Sequence, residues 1–248
     1  IPITPDFIRQ LLLPLTATIA TIENGTIKSA SVNFELTDVA PLSGSAASDL
    51  VQAGDSGERI DGGGGSDTLI GGLGNDFFVF DQNDAVIDGG GGRNTLLISN
   101  NADLVTGGPQ VTNISQLDLS SNPASTNRIE LSAAAIVGML PVGETTFTVD
   151  GDAGDVIHVT EQWLEIANPS NPPDAYRYYQ ITENGQTITL RLGSGVTLAA
   201  TLAPAQDANG NDLPAAMVGG SGGDNLTGGT AADTISGGEG ADTIAAGA

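Results

Sequence analysis

Cysteine is absent from all 248 residues, and histidine occurs once, at His158. Without thiols there is no disulfide framework, no zinc–thiolate centre and no thiol nucleophile. Basic residues are scarce: 7 Lys and Arg stand against 30 Asp and Glu, a formal net charge of −23. A surface this acidic repels phosphate backbones and anionic lipid, so nucleic acid is excluded as a partner and cations are favoured. Aromatics are few, at 6 Phe, 3 Tyr and 1 Trp. A core built from Val, Ile and Leu suits thin layers of strand better than a helical bundle. No apolar run reaches the length of about 18 residues that a membrane-spanning helix needs. The opening Ile1-Pro2-Ile3-Thr4 does not read as a signal peptide. The missing initiator Met and an end inside a repeat suggest a fragment of something longer. The absence of cysteine is compatible with an oxidising exterior.

What the chain has in excess is glycine, 35 residues, about twice the usual share. Its 39% hydrophobic content is too high for a purely solvated acidic coil.

Residues 1–41 read as a lead-in. Thr4-Pro5-Asp6 has the pattern of a helix start, and Phe7, Ile8, Leu11 and Leu12 give a short N-terminal helix an apolar face before Pro14. Two strands are expected between Thr18 and Leu36, around the hairpin signal Asn24-Gly25.

From Gly44 the chain is periodic. Its nines are GSAASDLVQ (44–52), AGDSGERID (53–61), GGGGSDTLI (62–70), GGLGNDFFV (71–79), FDQNDAVID (80–88) and GGGGRNTLL (89–97). The eighth position holds Val51, Ile60, Leu69, Phe78, Ile87 and Leu96, and the frame extends to Leu42, Val105 and Ile114. A second block closes the chain: GGSGGDNLT (219–227), GGTAADTIS (228–236) and GGEGADTIA (237–245), with Leu226, Ile235 and Ile244 at the eighth position. The organisation expected is a lead-in (1–41), a first block (42–114), a β-rich insert (115–218) and a truncated second block (219–248). In the insert, alternating strands flank Asn184-Gly185 between Tyr176 and Leu192, and Phe147 to Ile157 reads as one isolated, degenerate repeat.

Each nine carries its own chemistry. Glycines at positions one, two and four let the backbone turn tightly through positive φ. Such a turn leaves carbonyls with no strand partner, and the aspartate at position six sets a carboxylate beside them. Positions seven to nine suffice for a short strand whose eighth side chain points inward. Two nines make one coil, so turns i and i+2 stack at about 4.8 Å. Carbonyls and carboxylates then share an all-oxygen gap that suits calcium better than magnesium or zinc.

These nines resemble the GGxGxDxUx repeats of the RTX family, on the strength of GGGGSD, GGLGND, GGSGGD and GGEGAD, with GGTAAD short of one glycine. The resemblance implies an all-β fold with parallel β-roll blocks flanking the insert, calcium as the bound ion, and type I secretion to the exterior of a bacterium. It implies the metal-binding carboxylates Asp49, Asp67, Asp76, Asp224, Asp233 and Asp242. It also implies first- and third-position carbonyls at Gly62 and Gly64, Gly71 and Leu73, Gly219 and Ser221, Gly228 and Thr230, and Gly237 and Glu239. Glu58 and Asn94 replace the aspartate in their turns and Ala85 deletes it.

Gly219-Gly220-Ser221-Gly222-Gly223 fits a nucleophile-elbow pattern, but it lies inside a repeat rather than between a strand and a helix. No catalysis is expected. With its LDLS (117–120) and TVDGDAGDVI (148–157) stretches, the insert resembles the C-terminal regions of large bacterial RTX adhesins, and a calcium-binding structural module of a secreted adhesin or surface protein is the use expected. Alternatives are the non-catalytic end of a secreted enzyme or toxin, and an adhesin module binding a cell-surface glycan or peptide through Trp163, Tyr176, Tyr178 and Tyr179.

Overall fold

The computed structural model describes residues 15–23, 26–34, 41–120, 126–170, 174–204 and 206–247. The predicted N-terminal helix lies outside them. The first hairpin is present, Leu15–Glu23 pairing antiparallel with Thr26–Phe34 from Glu23↔Thr26 outwards. The loop residues Asn24 and Gly25 lie outside the described set.

The nines fold as their period requires. Consecutive eighth positions alternate between two parallel sheets, because each strand is only three residues long and the glycine turn after it reverses the chain. Ile60 pairs in register with Phe78, and Phe78 with Leu96. Val51 pairs with Leu69, and Leu69 with Ile87. Between the two layers Ile60, Leu69, Phe78, Ile87 and Leu96 are all fully buried. Each contributes roughly 1.5–3 kcal/mol by leaving water. The architecture is the expected parallel β-roll.

The frame slips after Leu97. Val105 is exposed and outside any strand, so it is no rung of the ladder. The partner of Ile87 is Val111, and that of Leu96 is Leu117. The chain takes a longer excursion through Gly107-Gly108-Pro109, which a fixed nine-residue count cannot follow. Ile114 is fully buried but sits beyond the strand Gln110–Thr112.

Residues 115–218 are β-rich, and their parallel strands join the roll's own stacking. Gln116–Asp118, Thr146–Asp150 and Gln186–Leu192 extend the sheet of the first block. Arg128–Glu130, Val156–Val159 and Thr197–Leu202 form a second run of parallel strands that continues into Asn225–Thr227 and Thr243–Ala245. The coils here are larger. One carries the helix Ala133–Met139, capped by Ser132, whose Oγ accepts from the Ala135 N–H at 3.1 Å. Another carries the hairpin Arg177–Glu183 and Gln186–Leu192. Its turn residues Asn184 and Gly185 take φ of 50° and 81°, the left-handed pair that a two-residue turn demands. Phe147, Trp163, Tyr179 and Ile136 fill the enlarged interior.

Candidate metal centre

The sixth-position aspartates make two kinds of contact with their side chains. First, one oxygen accepts the N–H of the sixth residue in the turn below. Asp67 takes that of Asp49, Asp76 that of Glu58, and Asp242 that of Asp224, at 2.8, 2.8 and 3.1 Å. Asp233 takes the Ala215 N–H at 2.9 Å, and Asp224 takes that of Ala200. Second, the other oxygen folds back onto its own turn. It accepts the second-position N–H at 2.6 Å for Asp49 (from Ser45), 3.0 Å for Asp76 (from Gly72), 2.7 Å for Asp224 (from Gly220) and 2.9 Å for Asp233 (from Gly229). These carboxylates lace the stack vertically.

The first-position glycine makes room for that oxygen. A Cβ on Gly228 would lie 2.7 Å from the Ala246 carbonyl oxygen and 2.9 Å from Asp233 Oδ2. At Gly71 the same space is bounded by the Gly89 carbonyl and by Asp76 Oδ2, and at Gly219 by the Gly237 carbonyl and Asp224 Oδ2. Gly62 packs on Asp67 Oδ2, a buried oxygen with no hydrogen-bond partner. A carboxylate oxygen and a carbonyl from the next turn thus meet over one glycine. Asp67 Oδ2 has no donor and the others accept a single N–H, so these oxygens keep lone pairs for a hard cation with flexible coordination. Among the described residues no three carboxylate or imidazole side chains converge, so the carbonyls must supply much of any cage.

Burial of the charge points the same way. At Asp224 burial pushes the carboxyl above its usual value against the opposing Ala200 and Gly220 N–H groups, with Asp242 adding repulsion. Asp49, at the outer end of its column, goes down instead, because the Ser45 amide and hydroxyl hold its charged form.

Of the predicted third-position residues, Leu73, Thr230 and Glu239 stand exposed at the outer tips of their turns. Ser221 is partly buried, and its hydroxyl takes the Tyr179 O–H at 3.1 Å, which ties the second block to the enlarged coils. Gly64 donates its N–H to the Ser45 carbonyl at 2.9 Å.

Three acidic residues outside the motif positions belong to this system. Asp155 reproduces the sixth-position contacts in full: Oδ1 accepts from Asn127 N–H and Oδ2 from Asp152 N–H, both at 2.8 Å, with Oδ2 packed on Gly151. The degenerate GDAGD was its only signal. Asp212 accepts from the Thr230 N–H at 2.9 Å and braces the turn that carries Asp233. Asp84 adjoins the deleted position at Ala85. It is buried and neither of its carboxylate oxygens is hydrogen-bonded. Burial pushes its pKa up to about 6; the Asp67 N–H, short of a hydrogen bond, offsets part of this, and the Asp67 and Asp81 charges add to it.

His158 lies on a parallel strand between Glu130 and Thr201, with Nδ1 at 2.5 Å from Glu130 Oε2 and Nε2 at 2.9 Å from Thr201 Oγ1. Glu130 is the register partner of His158, and Thr201 lies two residues past its other partner, Ala199, on the neighbouring strand. Trp163, Tyr178 and Tyr179 are buried rather than displayed.

No helix among the described residues is long and apolar enough to cross a membrane. The chain matches no curated protein and no solved structure. Residues 43–78, 52–86 and 218–248 match the family model of the RTX calcium-binding nonapeptide repeat, with 4 copies. Both glycine-rich blocks of this chain therefore carry RTX nonapeptide repeats, and calcium is the ion that such repeats bind.

Proposed function

We propose that this chain is a structural module of a secreted bacterial adhesin or surface protein, folding on calcium outside the cell, and that it performs no chemistry of its own. The observation that carries this reading is the repeated meeting of a position-six carboxylate and a neighbouring carbonyl over a first-position glycine. Without an ion these turns hold carboxylates beside carbonyl oxygens, in a chain whose net charge is already −23. With an ion, binding free energy becomes folding free energy. In a calcium-poor interior the chain stays open and can be exported; in a calcium-rich exterior it closes. The parallel run Arg128–Glu130, Val156–Val159, Thr197–Leu202, Asn225–Thr227 and Thr243–Ala245 joins the enlarged coils to the last block and supports a stiffening role. The burial of Trp163, Tyr178 and Tyr179 leaves those rings unavailable as a glycan or peptide patch.

Circular dichroism in chelator and then in millimolar calcium tests this. A gain of β signal and a higher melting temperature on adding calcium are expected. An identical spectrum and melting temperature in both would refute it.

A further inference from the structure

Asn94 stands at the sixth position of the turn 89–94, fully buried. One half of its side chain behaves as the aspartates do: Oδ1 accepts the Asp76 N–H at 2.9 Å. The other half carries the opposite sign. Nδ2 faces three carbonyl oxygens, those of Gly89 at 2.8 Å, Gly91 at 2.9 Å and Asn113 at 3.0 Å. Gly89 and Gly91 are the first and third residues of its own turn. Asn113 follows the strand Gln110–Thr112, which stacks on Val86–Asp88. Nδ2 also packs on the first-position glycine, where a Cβ on Gly89 would lie 2.5 Å away. Asp76 places its Oδ2 against Gly71 in the same way.

The partners fix the orientation of the amide. Reversed, its oxygen would face three carbonyls and its nitrogen would face an N–H. The backbone is shaped to the same end. Gly90 and Gly92 take φ of 70° and 74°, and Asn113 takes 56°, a conformation costly for any residue but Gly, Asn or Asp. Asn113 is held there by its side-chain amide, which donates to Asp88 Oδ1 at 2.8 Å.

Three carbonyls converging on one point are part of a donor set for a hard cation. At this turn the point is taken by a neutral amino group that carries partial positive charge. We infer that Asn94 is a built-in substitute for the ion: the turn 89–94 is closed by its own amide and takes no calcium through that side chain. Its strand Thr95–Leu97 pairs with Phe77–Val79 on one side and Gln116–Asp118 on the other. The metal-free closure therefore sits at the junction between the glycine turns and the enlarged coils. Structure formed without calcium in 115–202 can extend to this rung, and calcium-dependent coils then add to it.

The test uses the full chain, as wild type and as Asn94→Asp. Calorimetric titration should show the variant binding one more calcium ion per chain than the wild type. In chelator the variant should melt below the wild type, because a carboxylate now faces the three carbonyls. Equal stoichiometry, with the variant merely tighter, would overturn the inference, since it would mean that Asn94 already binds the ion through Oδ1. Should Asn94→Asp fail to fold, the wild type decides by NMR in calcium. Slow exchange of the Asn94 side-chain N–H protons upholds the closure, and exchange at the rate of a free amide overturns it. A wild type that binds no calcium would sink the proposed function, while slow exchange of those protons would still establish the Asn94 closure.

Discussion

In the first block, Ile60 meets its stacking partner Phe78 eighteen residues on; in the middle of the chain, Val149 meets Leu192 forty-three residues on. Both are rungs of the same sheet. The short coil has room for one inward side chain on each side and a turn between. Its apolar yield per residue is low, and its acidic groups crowd into the turns. The long coils spend their extra residues on a helix in one and a hairpin in another, and Phe147, Ile136, Trp163 and Tyr179 are buried among them. On the function proposed above, one ladder is closed in two ways, by an ion where coils are minimal and by a hydrophobic core where they are large.

Removing calcium should give the largest effect. Hydrogen exchange in chelator should leave protection across 176–192 while 44–88 and 219–245 exchange freely. Equal loss over all three stretches would show one cooperative unit and abolish the distinction. Next in size is the core of the large coils. Phe147→Ala empties a fully buried site and should cost about 3–5 kcal/mol. Ile235, only partly buried against the same core, should cost clearly less when changed to Ala. Melting in calcium measures both, and an equal cost would mean that the last coils are packed as tightly as the middle.

A smaller effect separates the regions by pH. Asp174 accepts from Tyr178 O–H at 2.7 Å, Asn168 Nδ2 at 2.9 Å, Ser170 Oγ at 3.0 Å and Arg191 at 3.1 Å. Burial works against its charge, but hydrogen bonds from Tyr178, Asn168, the Tyr176 amide and Ser170 outweigh that and hold the carboxyl well below its usual range. A depressed folded pKa contributes stability above the unfolded value, about 3.9, and loses it as pH falls from there. Asp174→Asn should therefore melt below wild type by a constant margin at neutral pH, and the margin should shrink below about pH 4. A margin that persists undiminished into strong acid would show that Asp174 acts there without its charge.

How far the sequence speaks follows the same division. The rungs Ile60 to Leu96 are legible because a fixed coil length puts every inward residue at one spacing. Val105 fails because the coil after Leu97 is longer, and length carries no periodic mark. The hairpin around Asn184-Gly185 is legible from its turn chemistry. Asp155 is half legible, its turn having two of the usual glycines. Asp84 and Asn94 are not. Whether a carboxylate beside an empty sixth position turns inward, and which way a buried amide faces, depends on groups brought from other coils. Gln110 to Asn113 reaches the Asn94 turn only through a register that no repeat count contains.

The smallest test compares two glycines. Gly71 has no space for a Cβ, which would lie 2.6 Å from Asp76 Oδ2 and also strike the Gly89 carbonyl. Gly138 lies in the helix Ala133–Met139, and a Cβ there meets nothing within 4 Å. Gly71→Ala should lower the melting temperature in calcium, because it pushes apart two oxygens of a closed turn. In chelator it should be silent, since that turn is already open. Gly138→Ala should do the reverse in sign and be indifferent to the ion. Replacing a helical glycine gains up to about 1 kcal/mol by restricting the unfolded chain and favouring the helix, less near a helix end. In a chain of this size that corresponds to a rise of roughly 1–3 °C. The rise should appear with and without calcium, because the helix belongs to the coils whose core needs no ion. If Gly71→Ala destabilises the chelated protein as well, the first block is folded before calcium arrives. If Gly138→Ala raises the melting temperature only in calcium, the enlarged coils depend on the ion after all.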